Sequence, residues 1–328
     1  MAGPDPAVAA VRTAVRRLLD LVQPREHVAV ACSGGADSLA LAAATAHVAE
    51  RRGLVVHGLV VDHRLQAGSA EIAEQAAAQL SSLGARPRVL PVRVEGPGGP
   101  EAAARRARYT ALLDARPSPD CVVLLGHTLD DQAETVLLGL GRGSGARSIA
   151  GMRPLDPPWV RPLLGVRRST TRAACAALGL EPWEDPHNLD PAFTRVRLRR
   201  EVVPLLENVL HGGVAEALAR TAAQVREDGE ALDELAVALL RRAEDGHELE
   251  AATLAQAHPA VRRRALRGWL LAGGVTEVTD AHLRSVDALV GNWRGQGGVA
   301  LPGGLVAERS HGRLHLDLGG SGAERLNP

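Results

Sequence analysis

Short apolar runs alternate with helical patterns over the first half of the chain, and this alternation constrains the fold more than any other feature. The apolar runs cover 28–32, 54–61, 88–94, 121–126 and 159–164. The helical patterns cover 39–52, 70–83, 101–115, 131–140 and 169–178. Strands that alternate with helices predict βαβ units and a mostly parallel sheet, and continuously apolar strands indicate helices on both of its faces. The sequence therefore predicts an α/β fold whose ligands bind beyond the carboxyl ends of the strands.

The character of the sequence changes after Pro204. Helical spacing then dominates, and the last apolar segment, 299–316, is typical of a β-hairpin. Pro-Gly-Gly at 302–304 interrupts its first strand, and Ser-His-Gly at 310–312 is the predicted turn. We predict an α/β domain at 1–210, a smaller, mainly helical domain ending in the hairpin at 211–320, and a disordered tail at 321–328.

A glycine-rich turn follows the first apolar run and opens the first helix of the alternation. Such a turn presents unpaired backbone N–H groups and the positive end of a helix dipole to an anion, and its glycines let a phosphate approach closely. The serines add hydroxyl donors, and Asp37 adds a carboxylate suited to Mg²⁺. An ordinary strand-to-helix turn is the alternative, but the offsets favour a nucleotide-phosphate site. Its residues are Ser33, Gly34, Gly35, Ala36, Asp37 and Ser38.

The turn matches neither of the two commonest nucleotide-binding motifs. The chain has no lysine, since its 38 basic residues are all arginine, so it lacks G-x-x-x-x-G-K-[ST]. It also lacks G-x-G-x-x-G at this point. The pattern S-G-G-x-D-S resembles the pyrophosphate loop (PP-loop) of the N-type ATP pyrophosphatases. That resemblance implies cleavage of ATP between the α and β phosphates and activation of a substrate as an adenylate.

Polar residues also follow the second and fourth apolar runs. Asp62 and His63 come after the second run, and His127 follows the fourth. Asp131 and Glu134 lie three residues apart at the start of the next helix and therefore share one face. A carboxylate in the first turn is also favoured by the helix dipole, so Asp131 is either a helix-start residue or a ligand of metal or substrate. His127 is either a proton-transfer residue or a loop histidine with satisfied hydrogen bonds.

Composition excludes several classes of protein. The formal net charge is zero, although arginines cluster at 161–172, 195–200 and 262–267 as either phosphate-binding patches or helix faces paired with acids. The three cysteines are far apart and form no C-x-x-C pair, which argues against a zinc knuckle, an iron–sulfur cluster and a disulfide scaffold. No uncharged apolar run is long enough to span a membrane, and we predict a cytoplasmic protein.

Taken together, these motifs resemble the tRNA(Ile)-lysidine synthetase family of the PP-loop superfamily. The matching residues are the loop at 33–38, then Glu101, Ala104, Arg105, Arg108 and Tyr109, then G-H-x-x-D-D-Q-x-E-T at 126–135, R-G-S-G at 142–145, G-M at 151–152, R-P-L-L at 161–164, then Trp183, Glu184, Asp185, Pro186 and Asn188, T-R-x-R at 194–197 and L-P-G-G-L at 301–305. The resemblance covers the whole N-terminal half and more. One departure is Val196, where the family usually has Asn, so any hydrogen bond from that amide is missing.

The resemblance implies a reaction in two steps. ATP with Mg²⁺ adenylates O2 of the wobble cytidine in an isoleucine tRNA that has a CAU anticodon. The ε-amine of free lysine then attacks C2, AMP leaves, and the product is lysidine. The helical C-terminal domain would bind the tRNA, no membrane is involved, and a homodimer is left open.

The resemblance also implies roles for individual residues. Arg105 or Arg108, together with Arg195, would offset charge in the transition state, since guanidinium groups match phosphates. Asp131 and Glu134 would attract the lysine ammonium or Mg²⁺, and His127 would relay a proton. Asp37 would be the metal ligand. The other predicted ATP-binding residues are Asp62, His63, Gly126, Arg142 and Gly143, and the predicted tRNA-binding residues are Arg197, Arg200, Arg263 and Arg264.

Other functions remain open at this point. A PP-loop tRNA 2-thiolation enzyme would share the loop, but such enzymes often mount sulfur or a cluster on cysteines, and C-x-x-C is absent here. A glutamine-dependent synthetase would need an amidotransferase half, for which the sequence offers no nucleophile. A non-catalytic, nucleotide-gated RNA-binding protein would have a decayed site, whereas the loop, Asp131 and Glu134 are all intact.

Overall fold

The structure is a computed structural model that describes residues 3–66, 68–97, 99–143, 145–186 and 190–318. Ser144 and Asn188, which belong to the motifs above, and the predicted tail at 321–328 lie outside the described residues. The chain divides into two compact units, of which the first ends at Ala223 and the second begins at Gln224.

The first unit contains a six-stranded sheet and most of the helices. Its strands are β1 (His27–Ala31), β2 (Val55–Asp62), β3 (Arg86–Pro91), β4 (Val122–Leu124), β5 (Leu155–Asp156) and β6 (Trp159–Val160). The helices, the last of which continues into the second unit, are α1 (Pro6–Val22), α2 (Ala36–Glu50), α3 (Ser69–Ser82), α4 (Gly99–Asp114), α5 (Leu129–Gly141), α6 (Ala146–Ile149), α7 (Arg168–Ala177), α8 (Thr194–Arg197), α9 (Val203–Val209) and α10 (Val214–Ala243).

The strand order is β3-β2-β1-β4-β6-β5, and every neighbouring pair is parallel except β6 with β5. The predicted mostly parallel sheet is therefore confirmed. Because β2, β1 and β4 are parallel neighbours, the segments that follow them open at one edge of the sheet.

The central strand β1 is covered on both faces. Val28 and Val30 belong to a core that includes residues of α1, α2 and α7, whereas Ala29 and Ala31 pack in a second core with Leu112 of α4. Alternate side chains of a strand point to opposite faces, so the two cores lie on opposite sides of the sheet. This arrangement confirms the helices predicted on both faces and explains why the strand is apolar throughout.

Two predicted strands have different bounds in the structure. The run at 159–164 is not one strand, because β6 ends at Val160 and Pro162–Gly165 forms a 3₁₀ turn. Proline has no N–H for the sheet, and its fixed φ suits the first position of a helical turn. The run predicted at 88–94 corresponds to β3, which begins two residues earlier, at Arg86. β3 pairs with β2 from Arg86 opposite His57 to Pro91 opposite Asp62.

The second unit combines helices with an antiparallel sheet that is larger than the predicted hairpin. Its other elements are β7 (Glu244–Asp245), β8 (Glu248–Glu250), α11 (Ala251–Ala255), α12 (Pro259–Ala272), α13 (Asp280–Gly291), β9 (Val299–Leu301), β10 (Leu305–Ser310) and β11 (Arg313–Leu318). The predicted hairpin is β10–β11, with Ser310 opposite Arg313, and the strand order is β7-β8-β11-β10-β9. The strands β7 and β8 were missed because two and three residues are too short for a periodic signal.

Candidate active site

A cavity of about 1080 Å³ opens at the carboxyl ends of β1, β2 and β4. Small-molecule sites enclose about 300–1,000 Å³, so this cavity has room for a nucleotide and a further group. The predicted site residues that line it are Ser33, Gly35, Ala36, Asp37, Ser38, Asp62, His63, Arg108, Gly126, His127, Asp131 and Arg200. The structure thus brings together residues from three strand ends.

The glycine-rich loop is closed by its own last residue. The hydroxyl of Ser38 accepts a hydrogen bond from the N–H of Ser33 at 3.1 Å and donates one to the carbonyl of Gly35 at 2.9 Å. Among the described residues, the N–H groups of Ala36 and Asp37 have no hydrogen-bond partner. Because α2 begins at Ala36, these donors lie at the positive end of the helix dipole, which is the arrangement that binds an anion.

Gly126 packs directly against this loop. A Cβ at this position would lie 3.2 Å from the carbonyl carbon of Asp37 and 3.2 Å from the N and Cα atoms of Ser38. A side chain here would therefore have to displace the loop backbone by a few tenths of an ångström. The absence of a side chain at Gly126 is what lets the end of β4 support the loop.

We expect Gly126→Ala to raise the KM for ATP by roughly tenfold, since small misplacements of a binding loop are costly. Initial rates of AMP formation at varied ATP concentration measure this effect. Gly165→Ala is the matched control, because a Cβ there meets no atom within 4 Å. An unchanged KM in the Gly126 variant would show that the loop tolerates the displacement.

Asp131 has the helix-start role that the sequence left open, and its ligand role stays a prediction. Thr128 is the N-cap of α5, and its hydroxyl accepts a hydrogen bond from the N–H of Asp131 at 3.4 Å. Asp131 Oδ2 accepts in return from the N–H of Thr128 at 2.8 Å, which completes a capping box. The other oxygen, Oδ1, accepts from Arg168 Nη2 at 2.6 Å, and Asp131 lines the cavity. Burial raises the pKa of Asp131, but Arg168 and the Thr128 N–H outweigh burial, and the net pKa lies below its usual value.

Arg168, at the first position of α7, joins three carboxylates. Its Nε lies 3.3 Å from Asp37 Oδ2, and its Nη2 donates to Asp131 Oδ1. Its Nη1 lies 3.4 Å from Glu134 Oε1. The other oxygen of Asp37 accepts from the hydroxyl of Thr171. Burial raises the pKa of Asp37 above its usual value, and the bonds from Thr171 and Arg168 offset this only in part.

Glu134 is held by a second arginine. It is 1% exposed, and Arg199 donates Nε to Oε1 at 2.8 Å and Nη2 to Oε2 at 3.2 Å. Arg195 lies farther away, with Nη1 3.9 Å from Oε2. Glu134 is not among the residues that line the cavity, in contrast to Asp131. A ligand would therefore reach Glu134 only after a guanidinium group moved aside.

Two histidines and Arg108 form another part of the cavity wall. Burial, followed by the positive charge of Arg108, lowers the pKa of His127 to about 3, and the same two causes lower the pKa of His63. The Nδ1 atoms of both histidines are buried without a hydrogen-bond partner among the described residues. At neutral pH His127 is therefore an uncharged imidazole, so it can accept a proton but not donate one before a ligand binds.

The depressed pKa of His127 predicts a pH effect on stability. Above its usual value of 6.5 the ring is neutral in both the folded and unfolded states. As the pH falls below 6.5, the unfolded chain takes up a proton that the folded protein does not, so stability decreases until about pH 3. We expect His127→Gln to lose less stability than the parent between pH 6.5 and 4.5, as measured by denaturant unfolding. Parallel pH profiles of the two proteins would contradict this.

Two protein families match the sequence. The PP-loop domain matches residues 10–206, and the TilS substrate binding domain matches residues 249–315. A tRNA(Ile)-lysidine synthase of Rhodococcus erythropolis is 63% identical over 317 residues, which cover 95% of this chain and 96% of that protein. The tRNA(Ile)-lysidine synthase of Nocardia farcinica is 62% identical over 88% of this chain and 91% of that protein. This chain belongs to the tRNA(Ile)-lysidine synthase family.

A solved structure shares the fold of about two thirds of this chain. The U34-tRNA thiolase NcsA from Methanococcus maripaludis, with its [4Fe-4S] cluster, superimposes with a TM-score of 0.57 over 67% of this chain and 80% of that chain. The sequences are 18% identical, so the likeness concerns the fold alone. In the described parts of this lysidine synthase family member, no helix is long and apolar enough to cross a membrane.

Several residues that the lysidine synthase motifs single out lie outside the cavity. Arg105 is exposed on α4, where it donates to the Tyr109 hydroxyl at 3.4 Å. Arg142 and Gly143 follow the far end of α5, roughly 16 Å along the helix from Asp131. The length of α5 is therefore the reason that these two predicted ATP-binding residues do not meet the loop.

The other arginines predicted for the reaction or for tRNA binding differ in their exposure and in their ion-pair partners. The Arg195 side chain is 40% exposed, and within the described part of the chain its one ion-pair contact is with Glu134, at 3.9 Å. Arg197 makes an exposed ion pair with Glu201, one turn along the chain. Arg200 lines the cavity and is also exposed to solvent. Val196, which replaces the usual Asn, is buried, so the missing amide hydrogen bond is replaced by apolar packing.

The arginine cluster of the second unit is largely paired with acids. Arg264 Nη1 lies 2.8 Å from Asp233 Oδ1, and Arg263 Nη1 lies 3.8 Å from Asp287 Oδ2. The buried Arg262 makes two hydrogen bonds to the same Asp287. Of the two alternatives given for this cluster, Arg264 therefore fits a helix face paired with acids better than it fits an open phosphate-binding patch.

Sequence reasoning did not assign Arg168 or Arg199 to the site, although both occurred in the arginine clusters noted above. Acids brought close together need counter-charges, and the predicted grouping of Asp37, Asp131 and Glu134 is the signal that could have led to these arginines. Their partners lie 37 and 65 residues away in the chain, so local spacing does not indicate which arginines provide those charges.

Proposed function

We propose that this chain is an ATP-dependent ligase that forms lysidine at the wobble cytidine of an isoleucine tRNA with a CAU anticodon. The observation that carries the proposal is the end-to-end similarity to named tRNA(Ile)-lysidine synthases, with identities of 62–63%. The cavity supports it independently, because an anion-binding loop and a set of carboxylates face the same space. Such a site suits a triphosphate and a cationic amine together.

The first step is adenylation of the tRNA. The free N–H groups at the start of α2 would hold the pyrophosphate portion of ATP while cytidine O2 attacks the α-phosphate. Pyrophosphate leaves, and the O2–phosphorus bond forms. Arg108 supports this role, because it has no ion-pair partner among the described residues and faces the loop across the cavity. A guanidinium without a carboxylate partner can offset the charge of a phosphate.

The second step joins lysine to the activated base. The lysine nitrogen attacks C2, the C2–O2 bond breaks, and O2 leaves with AMP. Asp131, which lines the cavity, would orient the lysine once Arg168 moves off its Oδ1, and Glu134 would contribute once the arginines around it shift. His127 has too low a pKa to take the proton that the ammonium loses in the free protein, and would accept it only once bound phosphates offset the charge of Arg108.

Mg²⁺ fits this site as a metal carried by the nucleotide. Among the described residues, no group of three or more metal-ligating side chains forms a cage. Mg²⁺ usually takes one or two carboxylates together with substrate phosphates, and Asp37 offers a carboxylate beside the loop. Asp37 would hold the metal, which neutralises charge on the phosphates.

A PP-loop thiolation enzyme is the second candidate, favoured only by the fold shared with the thiolase. The arrangement of the cysteines argues against it. Cys32 and Cys175 belong to one core and Cys121 to the core on the other side of the sheet, and all three are buried and free. Three such thiols cannot ligate one iron–sulfur cluster.

Labelled lysine tests the proposal. The purified protein is incubated with ATP, Mg²⁺, radiolabelled lysine and a CAU-anticodon isoleucine tRNA transcript, and counts in acid-precipitable RNA are measured. We expect incorporation with the wobble cytidine and none after its change to uridine. Release of AMP without incorporation would instead indicate another nucleophile, as in thiolation. No AMP and no incorporation would favour a non-catalytic RNA-binding protein.

The remaining predictions concern the surroundings of the enzyme. A tRNA substrate supports a cytoplasmic location, and fractionation of cells that express a tagged protein would test it. A homodimer also stays a prediction, which light scattering of the purified protein would test. We also propose that four arginines contact the tRNA, namely Arg197, Arg200, Arg263 and Arg264. Substitution of each by Gln should weaken tRNA binding.

A further inference from the structure

Trp293 is an exposed aromatic residue in a chain that has few aromatic residues. The sequence contains four tryptophans, one tyrosine and one phenylalanine. Trp159 packs edge-on against Tyr109, with ring centroids 4.7 Å apart, and Trp269 lies in the core of the second unit. Trp293, which follows the end of α13, is 38% exposed. A single exposed ring is common on protein surfaces, so its surroundings decide what it can bind.

The side chain of Gln296 holds the loop that carries Trp293. Its Nε2 donates to the carbonyl of Ala288 at 3.1 Å and to that of Asn292 at 3.2 Å. Its Oε1 accepts from the N–H of Arg294 at 2.6 Å. One amide group thus ties the residues on both sides of Trp293 to the last turn of α13. A loop that is already fixed loses little conformational entropy when a ligand binds to it.

Two arginines add positive charge beside the ring. The guanidinium carbon of Arg309 lies 5.1 Å from the centroid of the Trp293 ring, and Arg309 Nη1 donates to the carbonyl of Leu289 at 2.9 Å. Arg294 is exposed, and its guanidinium has no hydrogen-bond or ion-pair partner within the described ranges. The nearby acid Glu308 is next to Arg309 on β10, so the two side chains point to opposite faces of that strand.

An aromatic ring with cationic groups beside it fits an unpaired nucleotide. Unpaired bases stack on aromatic side chains and on guanidinium planes, whereas a base-paired stem presents mostly phosphates and 2′-hydroxyls. A guanidinium without a carboxylate partner, such as that of Arg294, is free to pair with a phosphate. Both Trp293 and Arg309 lie within residues 249–315, which match the TilS substrate binding domain. These observations favour RNA over a protein as the ligand of this surface.

We propose that Trp293, Arg294 and Arg309 form a binding surface for an unpaired nucleotide of the tRNA, with the base stacked on Trp293 and a phosphate paired with Arg294. This inference rests on the proposed function only in taking tRNA as the RNA. The surface belongs to the second unit, and none of its three residues lines the cavity of the first unit. It therefore contributes to the affinity for tRNA and not to the chemical step.

The direct test is binding of a CAU-anticodon isoleucine tRNA transcript to the full-length protein, measured by fluorescence anisotropy without ATP or lysine. We expect Trp293→Ala to raise the Kd about tenfold and Trp293→Phe to stay within about threefold of the parent, since phenylalanine still stacks on a base. Arg294→Gln should raise the Kd and reduce the slope of log Kd against log salt by about one. Trp293→Ala should keep the slope of the parent, because stacking involves no phosphate.

Leu271→Ala is the matched control for the loss of an exposed apolar side chain. Leu271 belongs to α12 in the same unit and is 46% exposed. Its substitution should leave the Kd for tRNA unchanged. If Trp293→Ala does not fold, as judged by circular dichroism, the Trp293→Phe variant gives a second readout. The fluorescence that the parent has and this variant lacks belongs to Trp293, and we expect tRNA to quench it.

Several results would overturn the proposal. These are an unchanged Kd for a folded Trp293→Ala variant, a Kd for Trp293→Phe as high as that for Trp293→Ala, an unchanged salt slope for Arg294→Gln, or Trp293 fluorescence that tRNA does not quench. Unchanged tRNA affinity with weaker self-association of Trp293→Ala in light scattering would instead identify an interface between copies of the chain. A parent protein that does not bind the tRNA would refute the proposed substrate itself, whereas equal binding by parent and variants would refute only this surface.

Discussion

Asn in place of Asp37 lowers kcat/KM for tRNA-dependent AMP formation by about 10²-fold or more, because the carboxylate that would hold Mg²⁺ at the phosphates is lost. The variant should nevertheless melt no lower than the parent. Burial raises the pKa of Asp37, so its folded pKa lies above its unfolded value. For such a group the stabilising contribution is present at low pH and is lost as the pH rises through the folded pKa. At neutral pH the charged carboxylate therefore costs stability, which Asn relieves.

The two readouts separate a functional role of Asp37 from a structural one. Asp20→Asn is a suitable control, because Asp20 is 60% exposed on α1 and pairs only with Arg52 among the described residues. Asp20→Asn should change neither kcat/KM for AMP formation nor the melting temperature. Full activity of the Asp37 variant would show that the loop does not act through this carboxylate. Lost activity together with a markedly lower melting temperature would indicate a structural role instead.

Gln in place of Glu134 destabilises the first unit by about 1–3 kcal/mol, because buried guanidinium donors lose a carboxylate acceptor while both arginines keep Asp131. Both guanidinium groups of Arg168 and Arg199 lose a carboxylate in this variant. Urea unfolding followed by circular dichroism measures the change in the free energy of unfolding. Activity should fall as well, since the network positions Asp131.

An exposed pair of the same chemistry provides the comparison. Glu201 bonds to Arg197 at 3.0 Å, and half of the Glu201 side chain is exposed. Glu201→Gln should therefore change stability by less than about 1 kcal/mol. Equal stabilities for the two variants would mean that Glu134 is hydrated in solution and that the buried network does not form.

The nucleotide end of the site was predictable because its signals are local. An apolar strand, a glycine turn and a helix start occupy consecutive residues, and each has its own sequence signature. The same holds for the parallel sheet, because buried strands are apolar throughout. The exception, the run at 159–164, failed because Pro162 ends the strand within an otherwise apolar segment.

The interior of the site was less predictable because its partners are distant in sequence. The capping role of Asp131 depends on Thr128, three residues away, whereas its ion pair is with Arg168, 37 residues away. Only the fold shows that Oδ2 makes the first contact and Oδ1 the second. Likewise, motif membership did not show that Arg142 and Gly143 follow the far end of α5, since a motif gives residue types and not distances.

Mass spectrometry of the modified tRNA tests the central claim most directly. A CAU-anticodon isoleucine tRNA transcript is treated with the protein, ATP, Mg²⁺ and lysine, and then digested to nucleosides. The account predicts a cytidine heavier by one lysine minus one water, located at the wobble position and absent without lysine. An unmodified wobble cytidine, or one in which sulfur replaces O2, would contradict it.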